Sequence, residues 1–167
     1  MTKSSYLEAK NKIKVRDKIL SSLPKTVNTV VGLPGPDINE YIDKMSSYGI
    51  KRFILYEKDP LVMLHQLSRL KRDCTYLYGD INEFQIPTNS NHILFDLDYC
   101  CNITTIMNQV NKFALTNYII TLSLRDRYGN NIKDRFTQCM NLKKGDESIN
   151  YYRYFDTSAM ISITNIN

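Results

Sequence analysis

Four short runs hold the residues of this 167-residue chain whose types and spacing can do chemistry: GLPGPD at 32–37, Glu57 after RFILY, YGDI at 78–81 and DLDY at 96–99. In the first, Gly32, Pro34 and Gly35 form a compact turn where backbone can approach a ligand, and the helix that follows offers unpaired N–H groups to a polar part of it. Glu57 stands 22 residues beyond Gly35, where one carboxylate can accept hydrogen bonds from both hydroxyls of a sugar diol. Asp80 can accept from an exocyclic amine, with Ile81 packing on the ring that carries it. In DLDY, Asp96 and Asp98 are acceptors for an amine or another polar group, and Tyr99 offers a ring to stack.

These runs need elements to position them. Val27 to Val31 reads as a buried strand, and Ile38, Tyr41, Ile42 and Met45 hold the i, i+3, i+4, i+7 spacing of an amphipathic helix that stops near Gly49. Arg52 to Tyr56 is a second strand. Asp59-Pro60 supplies a cap and first-turn proline for a helix whose apolar stripe is Leu61, Leu64, Leu67 and Leu70. Strands are predicted at Thr75 to Tyr78, at His92 to Phe95 and at Tyr118 to Leu124. Helices are predicted around Ile103, Ile106, Met107, Val110 and Phe113, and around Ile132, Phe136, Cys139 and Met140. The closing runs, Ile149 to Phe155 and Ala159 to Ile166, are joined so tightly that they must pair as an antiparallel hairpin. The alternation implies an α/β fold, a mostly parallel sheet with helices on both faces. In such sheets ligands sit outside the carboxyl ends of the strands, which is where all four runs fall.

In order and spacing, Val27 to Ile166 resembles the class I S-adenosylmethionine-dependent methyltransferases, a Rossmann-like family whose seven-stranded sheet closes on a reversed final strand. The resemblance implies S-adenosylmethionine as cofactor. It makes GLPGPD the methionine-binding glycine loop, Glu57 the ribose-binding acid, Asp80 the adenine-contacting residue and DLDY the acceptor-site motif. DLDY is similar to the D-P-P-Y motif of methyltransferases acting on amino groups of nucleic acid bases. Asp96 and Tyr99 match it, while Leu97 and Asp98 replace the two prolines. The glycine loop also differs, since no acidic residue ends the strand before it. Two functions follow as expectations. One is methyl transfer to a nitrogen of a nucleic acid base or a similar polar acceptor; the other is a noncatalytic binding or assembly subunit that keeps the fold.

Charge and composition bound the rest. The chain carries a net charge of +5, and all of it arises before Val27, where Lys3, Lys10, Lys12, Lys14, Arg16, Lys18 and Lys25 outnumber Glu8 and Asp17. A basic N-terminal helix of this kind either tracks phosphates or presents a solvated face. A second basic cluster spans residues 125–144. The expected organisation is a single domain over residues 1–167, with 1–26 as a basic helical extension, and without a separate recognition domain. Recognition of nucleic acid would then fall to the helix, a second copy or a partner subunit. Tyr151, Tyr152 and Tyr154 beside Arg153 form a possible base-stacking set, and Arg127 to Asn131 a loop near the substrate. Cys74, Cys100, Cys101 and Cys139 have neither paired spacing nor histidine partners, which argues against a zinc site or disulfide framework. With no apolar run near the length of a membrane span and no signal peptide, a cytoplasmic protein is expected. The Asn-, Tyr-, Ile- and Lys-rich composition suits an AT-rich, viral genome.

Overall fold

A computed structural model describes residues 10–35, 37–87, 89–99, 117–125, 148–155 and 158–166. The basic segment contributes helix α1, Lys10–Leu20, and the chain then enters β1, Thr29–Gly32. Helix α2 (Ile38–Ser47), β2 (Arg52–Glu57), α3 (Pro60–Arg69) and β3 (Thr75–Tyr78) follow. After a short 3-10 turn at Ile81–Glu83 come β4 (Ile93–Tyr99), β5 (Asn117–Arg125), β6 (Ser148–Phe155) and β7 (Ser158–Asn165). The two helices expected between β4 and β6 fall outside the described residues, as do Cys100, Cys101, Cys139 and the loop Arg127 to Asn131.

All seven strands form one sheet in the order β3-β2-β1-β4-β5-β7-β6. Strands β1 to β5 are parallel neighbours, while β7 runs antiparallel between β5 and β6. This is the reversed closing strand that the sequence resemblance implies, and the closing hairpin is present as expected. Helices α1 and α2 cover one face. Ile19, Leu20, Ile38, Tyr41, Ile42 and Met45 pack there against Val30, Phe53, Leu55, Leu94 and Ile119. On the other face Phe84 stacks edge-on with Tyr56 and Phe95, at centroid distances of 6.2 and 5.8 Å.

Two expectations about elements need correction. Strand β4 was expected to stop at Phe95, with DLDY following it; instead it continues through Tyr99, because Asp96 to Tyr99 keep pairing with Ile119 to Leu122 of β5. The second concerns α3, whose leucines were expected to face the core. Their exposures are 76% for Leu61, 60% for Leu64 and 43% for Leu67, and Leu70 is half-buried. A run spaced strictly by three turns back about 60° at each step, so Leu61, Leu64 and Leu67 stay within about 120° of one another, and the face they share is the one turned to solvent. The inward position belongs to Gln66, which is 0% exposed.

Local chemistry sets where α3 begins. Pro60 occupies its first turn, and Asp59 accepts from the backbone N–H groups of Leu61 and Val62 at 2.9 and 3.3 Å. Replacing Asp59 with Ala leaves both donors to solvent and lowers unfolding stability by about 1 kcal/mol in urea titration.

Candidate active site at the switch point of the sheet

Strand order reverses between β1 and β4, and the crevice there is bounded by the residues that end those strands. Gly32 closes β1, level with Leu55 of β2 and Asp96 of β4. Glu57 and Asp98 each lie two residues further along their strands, so they stand at one height on either side of the β1 exit. The turn leaving β1 is tied to β4 where Leu33 N–H donates to the Asp96 carbonyl at 3.3 Å.

The DLDY carboxylates are held from an unexpected direction. Helix α1 places Arg16 and Lys12 over β4, with Arg16 Nη2 2.5 Å from Asp96 Oδ2 and Lys12 Nζ 2.6 Å from Asp98 Oδ2. Both cations are buried. The spacing explains the match: four helical residues rise about 6 Å, and two strand residues rise about 6.6 Å. An i, i+4 pair of cations therefore steps in register with an i, i+2 pair of carboxylates when helix and strand run in opposite directions. Asp96 is 1% exposed. Its Oδ2 also accepts from the Tyr41 hydroxyl at 2.9 Å, while Oδ1 is buried with no hydrogen-bond partner among the described residues. Burial and the adjacent Asp96 charge push the Tyr41 phenol well above its ordinary pKa, so it remains a donor.

Gly32 has a definite steric task in this cluster. A Cβ there would overlap the Tyr41 hydroxyl and lie 3.1 Å from the Asp96 carbonyl oxygen. The absence of a side chain admits tyrosine to the aspartate. Beyond Gly32, Pro34 is buried, and Gly35 adopts a left-handed conformation, φ 68°. The carbonyl of Gly35 accepts from Gln66 Nε2 of α3, and Gln66 Oε1 accepts from the Tyr76 hydroxyl of β3. Burial, with the nearby charge of Glu57, raises the Tyr76 phenol to about 12. Gln66 thus fastens the glycine loop beside the strand end that carries Glu57. Oε1 of Glu57 accepts from the backbone of Lys58 and Asp59, both at 2.9 Å, and Oε2 takes no hydrogen bond among the described residues.

Asp80 follows Gly79, whose N–H donates to the Glu57 carbonyl at 3.0 Å, so β2 and β3 end side by side. Ile81 is buried, its side chain packed inside the protein. Tyr99 belongs to β4, and its side chain lies outside the described residues. The structure therefore gathers Gly32, Pro34, Gly35, Glu57, Asp80, Asp96 and Asp98 along one edge of the sheet. Sequence reading missed Arg16, Lys12, Tyr41 and Gln66. The first two stand in the sequence as an i, i+4 cation pair; Tyr41 there reads only as a core position, and Gln66 is hidden by the leucines around it. Since Lys12 and Arg16 face inward, the exposed basic groups of the N-terminal segment among the described residues are Lys14, Lys18 and Lys25. Among the described residues no helix is long and apolar enough to cross a membrane.

No family model and no curated protein match this sequence. Solved structures do match, across nearly their full length. An rRNA methylase from Streptococcus thermophilus is 11% identical, with a TM-score of 0.62, over 93% of this chain and 97% of that one. The N-methyltransferase NodS from Bradyrhizobium japonicum is 14% identical, with a TM-score of 0.59, over 93% and 94%. A Streptococcus mutans protein in complex with SAH is 13% identical, with a TM-score of 0.58, over 91% and 96%. The chain has the class I methyltransferase fold. Nothing in these comparisons supports the viral source suggested by composition.

Two predictions test the buried cluster. Gly32→Ala destabilises by about 1–3 kcal/mol through overpacking, and its cost shrinks in a Tyr41→Phe background, where the obstructing hydroxyl is gone; a double-mutant cycle in urea measures both. Arg16→Met leaves Asp96 buried without its cation and destabilises by about 3–5 kcal/mol, while adding Asp96→Leu restores much of that loss.

Proposed function

We propose that the chain is an S-adenosylmethionine-dependent methyltransferase acting on a nitrogen of a nucleic acid base or a similar polar acceptor. The observation that carries this reading is the union of the sheet order β3-β2-β1-β4-β5-β7-β6 with acceptors and a glycine loop at the ends of the four strands flanking the switch point. An rRNA methylase and an N-methyltransferase among the structural neighbours support the acceptor class. A neighbour in complex with SAH supports the cofactor.

The residues fit such a cofactor at the edge formed by β1 and β2. Glu57 offers an unengaged carboxylate oxygen for ribose hydroxyls, with its other oxygen locked by two backbone donors. The left-handed Gly35 leads into α2, whose cap residue Asp37 makes no side-chain hydrogen bond to the first turn. Those N–H groups suit the carboxylate of a bound amino acid moiety. Gly32, Pro34 and Gly35 shape the turn, and Asp80 borders the place for adenine. When bound, the cofactor would supply an electrophilic methyl carried on a sulfonium, held facing the acceptor by the residues at the β1 and β2 strand ends.

For that transfer the chain's task is orientation. Asp98, less deeply buried than Asp96, can accept an N–H of the acceptor while Lys12 fixes its position, and the sealed Asp96 supports it from beneath through Arg16 and Tyr41. Tyr99 supplies a ring to stack on a base. Exposed Lys14, Lys18 and Lys25, with the basic segment 125–144, give a nucleic acid backbone its counter-charges.

One observation favours a second reading. Both β4 carboxylates are already paired with α1 cations, as suits a noncatalytic methyltransferase-like subunit of a nucleic-acid-associated assembly. Isothermal titration with S-adenosylmethionine and S-adenosylhomocysteine separates the two. Binding is expected, and Glu57→Ala should weaken it ten- to hundredfold, about the 1.5–3 kcal/mol of hydrogen bonds to a charged group. Heat-silent titrations at millimolar ligand would sink the enzymatic reading.

A further inference from the structure

The outward face of α3 is the one extended apolar surface among the described residues that the fold leaves uncovered. Leu61, Leu64 and Leu67 lie within about 120° of the helix circumference, at 76%, 60% and 43% exposure. Pro60 and Ser68, four residues on either side of Leu64, are exposed on the same arc. No charge falls on this arc within the helix. Tyr78, at the end of β3, is also 62% exposed. A helix at a sheet edge normally turns leucines inward; here the inward position is spent on Gln66, which holds the glycine loop and Tyr76. The leucines are left facing out, at a cost in exposed apolar surface that a covering partner would remove.

We propose that this face is a homodimer interface in which α3 packs antiparallel on α3 of a second copy, across a two-fold axis at Leu64. Three properties select a second copy as the occupant. The face is symmetric about Leu64: Leu61 answers Leu67 and Pro60 answers Ser68 when the helix is reversed, which is the self-complementarity an isologous contact requires. The small Pro60 and Ser68 flank the central leucine, so each Leu64 has room to seat beside its counterpart. The helix ends are complementary in charge. Glu57, Lys58 and Asp59 make the N-terminal end net negative, and Arg69, Lys71, Arg72 and Asp73 make the C-terminal end net positive. Antiparallel packing brings opposite ends together and also opposes the two helix dipoles favourably.

The area sets the strength. A face of three exposed leucines and their small flanking residues falls near the lower limit for a specific interface, about 1,000 Å² in total. A dimer with micromolar dissociation constant is the expected state. Because Gln66 lies on the opposite side of the same helix, the interface backs directly onto the support of the glycine loop.

Sedimentation velocity over a concentration series up to about 100 μM tests this, well above the expected dissociation constant. The wild-type chain should move to twice the monomer mass. Leu64→Glu should remain monomeric, its dissociation constant raised at least tenfold, with an unchanged far-ultraviolet circular dichroism spectrum showing that the fold is intact. Leu64→Met should still dimerise. A wild-type chain that stays monomeric throughout overturns the proposal, as does a Leu64→Glu variant that dimerises like the wild type, which would place the contact elsewhere. A Leu64→Glu chain that loses its fold is replaced by Leu61→Lys, read by the same two outcomes. None of these results depends on whether the chain binds a cofactor.

Discussion

The pairing of two cations on α1 with two carboxylates on β4 is the constraint from which the functional edge of this molecule is built. Buried charges are tolerated only when matched and hydrogen-bonded. Asp96, nearly sealed from solvent, therefore requires Arg16, and Asp98 is held by Lys12 one helical turn away. These two contacts fix the direction of α1 along β4 as well as its position. Its apolar residues Ile19 and Leu20 then fall into the core beside Val30 and Leu94. The N-terminal segment is in this way an integral layer of the fold, although its composition resembles that of a basic arm.

The same carboxylate organises the β1 exit. Asp96 draws the Tyr41 hydroxyl from α2, and the tyrosine can reach it only because Gly32 has no side chain. One residue type at the end of β1 thus serves packing. Further along, the loop is shaped by Gln66, not by its own glycines alone. A buried glutamine that donates to Gly35 and accepts from Tyr76 ties α3, β3 and the loop into one unit. Glu57 joins that unit through its charge on Tyr76 and through its own backbone donors.

Much of the fold was legible because its signals were local and repeated. The second and third strands, the helix after the glycine loop and the closing hairpin follow from apolar periodicity and turn residues. β4 was cut short because Asp96 and Asp98 look like the end of a strand; nothing in the neighbouring residues announces that cations from another element will neutralise them. The leucines of α3 misled for the opposite reason. Leu61, Leu64 and Leu67 do share one face of the helix, yet it is the outer one, because the inward position goes to the polar Gln66. At the candidate site, the acidic and glycine positions were visible as strand-end residues, while their partners Arg16, Tyr41 and Gln66 were not. Partners of that kind are long-range, set by which strand neighbours which, and single-sequence reasoning has little hold on them.

The buried pairs also bear on what such a crevice can bind. Two bare carboxylates side by side would favour a cationic amine; two carboxylates each matched by a cation present hydrogen-bond acceptors with little net charge. In the proposed reaction that is the useful condition, because an amine must be uncharged to attack an electrophilic methyl, and a protonated amine has no lone pair to offer. In that reading Arg16 and Lys12 remove the electrostatic reward for binding the protonated form, and the remaining acceptor direction of Asp98 orients an N–H group. An exocyclic amine of a nucleic acid base, neutral near pH 7 and planar, satisfies both requirements. An alkylamine, protonated at that pH, satisfies neither until it loses a proton.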